Sequence, residues 1–296
     1  MENKDFTLTD VKINWFPGHM KKTKELIAAN LKLVDLAVEI IDARVPLSSQ
    51  NDDIDKLIAN KPKMFIVNKV DLADDEETKK WKDYFKNKGI PALFMNSNQK
   101  VDKALVIKTA KGEIKAILEK EKAQGRKERP IRIMIVGVPN VGKSTFINQL
   151  VKKKIATVGN KPGVTKGKQW IKIDESCDLL DTPGVLWPKF EDQEVAIKLA
   201  LIGTINPEIL NLYDLSLRLI DILKRKPKYQ KLLETRFKLD DTTDMNPVEV
   251  FEAIGRKRGF ILKGNQIDIK RTSTILIDEF KNGKIGKITM DEIPEE

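Results

Sequence analysis

The chain counts 296 residues, with 54 Lys+Arg against 44 Asp+Glu, one His, one Cys, 41% hydrophobic and 33% charged side chains. That length holds one or two domains with substantial cores, the composition excludes a disordered chain, and no apolar run approaches the roughly 20 residues of a membrane span. The lone Cys177 excludes an internal disulfide and a Cys-based zinc site, and MENKDFTLTD lacks the apolar core of an export signal, so a soluble cytoplasmic protein is expected.

Residues 19–33 set apolar and basic side chains at helical spacing, and LVDLAVEIIDARVP then reads as a buried strand ending at Asp42-Ala43-Arg44. Two further apolar strands enter polar loops, in KPKMFIVNKVD and in ALFMNSN, with a charged helix near 75–88 between them. A helix over 104–123 leads through the basic connector AQGRKERP to IRIMIVGVPNVGKSTFINQLV, which reads strand, glycine loop, helix. Residues 168–184 give a strand pair ending in LLDTPG. This alternation predicts an α/β domain over 1–186, with a mostly parallel sheet and helices on both faces. Beyond Pro188 only helical periodicity is seen, at 191–204, 212–225, 247–258 and 269–282, which predicts a small all-α domain over 187–296.

The charge is unevenly placed. Residues 98–132 and 151–174 each carry six more basic than acidic residues, whereas 186–296 is balanced. A solvated face and a polyanion-binding surface, most plainly RNA, both explain such windows.

Gly137-Val138-Pro139-Asn140-Val141-Gly142-Lys143-Ser144 fits the phosphate-loop pattern in the strand–loop–helix context it requires. Its glycines let backbone N–H groups face phosphate oxygens, and the helix N-terminus adds a favourable dipole. Asn140, Val141, Gly142, Lys143, Ser144 and Thr145 are thus the expected phosphate holders, with Lys143 bridging the β- and γ-phosphates and the Ser144 hydroxyl on Mg²⁺. Asp181-Thr182-Pro183-Gly184 follows the strand Asp178-Leu179-Leu180. There Asp181 can hold the metal through water, Gly184 N–H can meet the γ-phosphate, and Thr165 can close over the same Mg²⁺. Asn68-Lys69-Val70-Asp71 ends another strand. The Asp71 carboxylate can accept from guanine N1–H and N2–H₂, where adenine offers no donors, and so penalises ATP. Lys69 covers the base with its stem, Asn68 ties this loop to the phosphate loop, and Asn96-Ser97 supplies backbone donors to guanine O6.

In the usual small GTPase the phosphate loop comes first. Here the base readers at 68–71 and 96–97 precede it, so the order is circularly permuted and residues 98–130 join the old termini. The γ-phosphate loop then runs straight into the helical region, a direct lever from nucleotide state to that surface. Together Trp15-Phe16-Pro17-Gly18-His19-Met20, Asp42-Ala43-Arg44-Val45-Pro46, NKVD, GVPNVGKS, PGVT and DTPGVLWPKF resemble the circularly permuted GTPases, and among them the ribosome-biogenesis members of Gram-positive bacteria. The resemblance covers nearly the whole chain. It implies a GTP hydrolase that binds the immature large ribosomal subunit and its ribosomal RNA, is stimulated by it, and acts late in 50S assembly, with no membrane partner and as a monomer in solution. A GTP-sensing RNA-binding module whose hydrolysis is incidental is the second reading, and a small-molecule kinase a third, which NKVD argues against.

After DTPG the residues Val185 and Leu186 offer nothing to orient an attacking water, a task Gln often performs. His19, the only histidine, is the catalytic candidate that the resemblance supports; a turn in which it merely packs or caps a helix is the other reading. Asn140 leaves two readings as well, a K⁺ ion held between phosphates or a loop-stabilising hydrogen bond. The basic clusters Lys224-Arg225-Lys226-Pro227-Lys228 and Arg256-Lys257-Arg258 join the two windows as candidate RNA contacts.

Overall fold

The computed structural model describes residues 20–58, 61–151, 169–181, 192–205 and 211–295. They form two compact units, one from the described parts of Phe16–Pro188 with Asp291–Glu296, the other from those of Lys189–Met290. Among the described residues no helix is long and apolar enough to cross a membrane.

The first unit is built on six strands: β1 (Leu36–Asp42), β2 (Lys63–Asn68), β3 (Ala92–Phe94), β4 (Ile131–Val136), β5 (Gln169–Asp174) and β6 (Cys177–Asp181). They lie in the order β3-β2-β1-β4-β6-β5, parallel except for β5, which runs antiparallel to β6. Numbered instead from β4, the order reads 6-5-4-1-3-2, so the sheet winds outward on both sides of the glycine-loop strand. Every residue of β1 is buried, as the near-continuous apolar run of a central parallel strand demands.

The helices of this unit are α1 (Met20–Leu31), α2 (Asp52–Ile58), α3 (Asp75–Asn87), α4 (Lys103–Glu113), α5 (Lys115–Ala123) and α6 (Lys143–Val151). In α3 the Asp74 carboxylate caps Glu76 and Glu77 N–H, three acidic residues fill the first turn, and Trp81 and Phe85 enter a core with Ile41, Phe65 and Val67. The single helix expected over 104–123 is broken at Ile114, whose side chain is fully buried while α5 beyond it buries nothing. Gly112 just before the break weakens the last turn of α4. The seven-residue α2 was not expected: it is mostly charged, and only Ile54 and Ile58 mark its inner face.

Glu39 sits inside β1 with no access to water, its carboxylate 2.7 Å from Lys63 Nζ and accepting from Asn51 N–H. Burial pushes this carboxyl up to about 7 although Lys63 opposes the rise. The folded chain therefore holds that proton more tightly than the unfolded one, and stability falls as pH climbs from about 4.5 to about 7. At 1.36 kcal/mol per pKa unit the loss is about 3 kcal/mol. Glu39→Gln keeps an acceptor for Asn51 and leaves Lys63 to Asp55. The urea midpoint should fall between pH 5 and pH 8 in wild type and stay nearly level in the variant; equal falls in both would show that Glu39 is not the cause.

The second unit holds α7 (Gln193–Leu201), α8 (Leu212–Lys224), α9 (Pro227–Phe237), α10 (Pro247–Lys257) and α11 (Ile269–Lys281), with α8 packed against the other four. Asn246 and Glu249 make a reciprocal capping box at the start of α10. The unexpected helix is α9. Pro227, which looks like a breaker, occupies its first turn, where a missing N–H is harmless.

The chain ends back on the first unit. The buried Asp291 carboxylate accepts from Leu47 N–H (2.8 Å), Ser48 N–H (2.7 Å) and the Ser48 hydroxyl (2.7 Å), and Ile293 packs on the Trp81–Phe85 core.

Candidate functional site

Four loops leave the carboxyl ends of β1, β2, β3 and β4, on both sides of the point where the winding reverses, the usual place for a ligand in such sheets. The glycine loop between β4 and α6 carries two residues no other side chain suits. At Gly137 (φ +143°) a Cβ would stand 2.4 Å from the Ile40 carbonyl oxygen, and at Gly142 (φ +99°) 2.3 Å from Asn68 Nδ2. The neighbouring strands thus press their polar atoms directly against the loop. Asn140 adopts φ +64°, and Lys143 Nζ donates to the Gly137 and Val138 carbonyls at 2.9 and 2.8 Å. Ser144 and Thr145 follow in the first turn of α6, where backbone N–H groups have no partner inside the helix.

Asn68, at the end of β2 and buried, uses both ends of its amide. Nδ2 donates to the Val141 carbonyl (2.8 Å), and Oδ1 accepts from Ser97 N–H (2.9 Å), so one side chain joins the glycine loop, the NKVD turn and the loop after β3. Lys69 takes a left-handed backbone (φ +61°) and reaches the other way, donating to the Asn140 carbonyl at 2.7 Å. Val70 N–H donates to the Met95 carbonyl, which keeps the turn against the β3 loop. Asp71 stands at the far side of this turn, and its Oδ1 is buried without a hydrogen-bond partner. A buried carboxylate oxygen lacking a donor is costly unless a ligand brings one.

One expected detail needs correction. Ser97 N–H is engaged by Asn68 Oδ1, and the Asn96 side chain accepts from Asn98 N–H, so Ser97 does not offer its backbone donor to a base. Its buried hydroxyl oxygen, also unpartnered, is the group left to meet a ligand.

The sequence reading missed Asp42 and Arg44 as members of the site. Asp42 closes β1 in register with Asn68, and its carboxylate accepts from Arg44 Nε (2.9 Å), Arg44 Nη2 (2.8 Å) and Arg44 N–H (3.0 Å) while pairing with Lys69 Nζ at 3.0 Å. Burial alone would raise the Asp42 pKa, but the charges of Arg44 and Lys69 hold it well below the ordinary carboxylate range. Burial also lowers the Lys69 ammonium, against the pull of Asp42. Asp42 N–H donates to Ser49 Oγ, which itself donates to the Val45 carbonyl, so the DARVP turn is locked to the same corner. The visible signal was a charged pair directly after a wholly apolar strand.

Asp181 ends β6 with its backbone beside Ile135 of β4, at the glycine-loop end of the sheet. His19, Thr165 and Gly184 lie outside the described residues. Among the described residues no group of three or more His, Cys, Asp or Glu side chains could cage a metal ion.

A glycine loop on the central strand, met by an Asn-Lys-Val-Asp turn that comes earlier in the chain, defines a circularly permuted P-loop GTPase. A family profile described as "50S ribosome-binding GTPase" matches residues 132–251, starting in the glycine-loop strand and leaving NKVD upstream, as the permuted order requires. Ribosome biogenesis GTPase A of Bacillus cereus is 45% identical over 284 residues, covering 96% of this chain and 95% of that protein, and its Thermotoga maritima counterpart is 35% identical over 279 residues, covering 94% of each. The solved GDP-bound structure of T. maritima YlqF superposes with TM-score 0.67 at 28% identity, covering 90% of this chain and 98% of that one. The chain belongs to the ribosome biogenesis GTPase A family and is a GTP hydrolase that acts in ribosome biogenesis.

Proposed function

We propose that this chain binds GTP across the four loops, hydrolyses it to GDP and phosphate on the immature large ribosomal subunit, and thereby assists a late step of 50S assembly. The carrying observation is the orphaned Asp71 oxygen, set by the Asn68 and Lys69 bridges at a fixed distance from the glycine loop, so that base and phosphates are read by one rigid assembly. In this reading Asp71 accepts from guanine, Lys69 covers the purine, and Asn140 to Thr145 hold the phosphates.

The donor set suits Mg²⁺, a hard ion that takes few protein ligands and shares the phosphates: Ser144 supplies a hydroxyl, Thr165 a second, and Asp181 a carboxylate through water. Bound there, Mg²⁺ neutralises charge on the transferred phosphoryl group. Asn140 is the candidate to seat K⁺, and His19 to orient the attacking water. Ribosomal RNA is the proposed contact of the basic segments and of the helical region over 187–296, in a monomeric protein that needs no membrane. The exposed lysines of α5, a helix that buries no side chain, support this reading.

Multiple-turnover hydrolysis with and without purified large-subunit particles, paired with co-sedimentation in GDP and in a non-hydrolysable GTP analogue, tests the proposal. Stimulated turnover and retention only with the analogue are expected. Retention without stimulated turnover would instead favour a GTP-sensing module.

A further inference from the structure

We propose that the hairpin between α10 and α11 is a docking tip for ribosomal RNA; the inference rests on the ribosomal reading above. The hairpin is closed by its own backbone. Asp268 N–H donates to the Phe260 carbonyl and Leu262 N–H to the Gln266 carbonyl, and Ile261 bridges Ile267. Gly264 and Asn265 both have left-handed φ (+80° and +60°), the pair that a tight hairpin turn matched to strand twist requires. Its inner side is seated on α10, where a Cβ at Gly255 would meet Ile267 Cγ2 at 2.7 Å.

The hairpin also carries exposed apolar side chains where a surface is ordinarily polar. Ile261, Leu262 and Ile269 are 45%, 52% and 49% exposed, three of the seven large hydrophobic side chains exposed among the described residues, gathered within nine positions. Scattered exposed aliphatics mean nothing, but a contiguous group does.

Around them lie cations that the fold does not neutralise. Lys263 and Lys270 have no carboxylate within ion-pair distance among the described residues, and the Arg271 guanidinium stacks on the Phe260 ring, 4.4 Å from its centroid, rather than on an acid. The one acidic side chain within the hairpin, Asp268, is turned back to cap Arg271 N–H, and Glu252 of α10 is paired with Arg256, which donates to Asn265 in the turn. The basic clusters the sequence singled out behave differently. Lys224 donates to the Thr242 and Thr243 carbonyls, Arg225 pairs with Glu194 and Asp221, and Arg258 pairs with Glu279. Among the described residues of the second unit, the hairpin is thus where cations without an ion-pair partner stand beside exposed aliphatic side chains.

Aliphatic groups rimmed by unpaired lysines fit a polyanion that also offers apolar edges. The shallow minor groove of an RNA helix presents ribose faces between two rows of phosphates. An acidic protein surface and an anionic bilayer are the competing occupants.

The test compares wild type with Ile261→Ser/Leu262→Ser and with Lys263→Gln/Lys270→Gln, binding purified large-subunit particles, isolated large-subunit rRNA and phosphatidylglycerol vesicles over a KCl series. All four residues belong to the second unit and the candidate nucleotide residues to the first, so basal GTP hydrolysis is expected to stay unchanged, and circular-dichroism melts check that the helical unit still folds. The serine pair is expected to weaken rRNA and particle binding about tenfold with the salt slope unchanged. The glutamine pair is expected to weaken both and to lower the slope by about 1.5, two phosphate contacts' worth. Unchanged binding by both variants, with wild type still bound to rRNA, overturns the docking tip alone. Wild type that does not bind rRNA, or binds particles independently of salt, removes the ribosomal RNA reading beneath it. Losses confined to whole particles, or seen with vesicles instead of rRNA, overturn RNA as the occupant.

Discussion

Asp71→Asn should cost GTP affinity about 10²- to 10⁴-fold and open the site to xanthosine triphosphate. The Asp71 Oδ1 that the fold leaves buried without a donor can only be matched by a ligand bringing N–H groups, and guanine brings two on one edge. Hydrogen bonds to a charged acceptor contribute about 1.5–3 kcal/mol each, so losing both accounts for the range. The asparagine amide adds repulsion, because its NH₂ faces the guanine 2-amino group. Xanthine carries an oxygen there, and donor again meets acceptor.

A merely structural Asp71 predicts something else. Removing charge from a buried oxygen without partners should leave stability level or slightly raised, so melting temperature and nucleotide choice separate cleanly. Equilibrium titrations with GTP, XTP and ATP on both proteins, alongside thermal melts, make the check. GTP affinity unchanged in the variant would place Asp71 away from the purine and dissolve the base-reading assignment.

What the sequence discloses and what it hides divide along a physical line. The glycine loop and NKVD are legible because each is a local device: a short polar turn at the end of an apolar run, with residue spacing fixed by the chemistry of one ligand. The tie from Asn68 to the glycine loop follows from the need to hold two such turns together. The Asp42–Lys69 ion pair was hidden because it exists only once β1 and β2 pair with Asp42 beside Asn68. Asp291 was hidden for the same reason at greater range, since its partner Ser48 lies 243 residues away. Ser97 was misjudged in a smaller way, as a backbone donor is available to a ligand only if no side chain has already taken it. In the helical unit the basic run at 224–228 concealed α9, because a lysine that caps carbonyls and a proline in a first turn look, in a string of letters, like a solvated loop.

The second large effect concerns that hidden ion pair. Asp42→Ala should lower the stability of the nucleotide-binding unit by about 3–5 kcal/mol, because it removes the counter-charge of the buried Arg44 and the part-buried Lys69 instead of deleting a whole pair. Arg44 is 2% exposed and gives its Nε and Nη2 donors to Asp42; Lys69 loses its ion-pair partner and keeps the Asn140 carbonyl and the more distant charge of Asp71. For a unit of this size each kcal/mol moves the melting temperature by roughly 2–4 °C, so calorimetry should show a fall of about 6–20 °C. Adding Arg44→Met should recover a good part of the loss, since one stranded cation is then gone; strictly additive losses would mean that the two residues do not share the charge. The pH response supplies an independent sign. A carboxyl held below its unfolded value of 3.8 lends stability that is complete above that pH and disappears as acid protonates it. Wild type should therefore lose stability more steeply than Asp42→Ala on acidification below about 4, and the two should converge there. Parallel acid limbs would show that Asp42 carries no such charge, and the clamp that joins the DARVP turn to Lys69 and, through it, to the glycine loop would have to be held by something else.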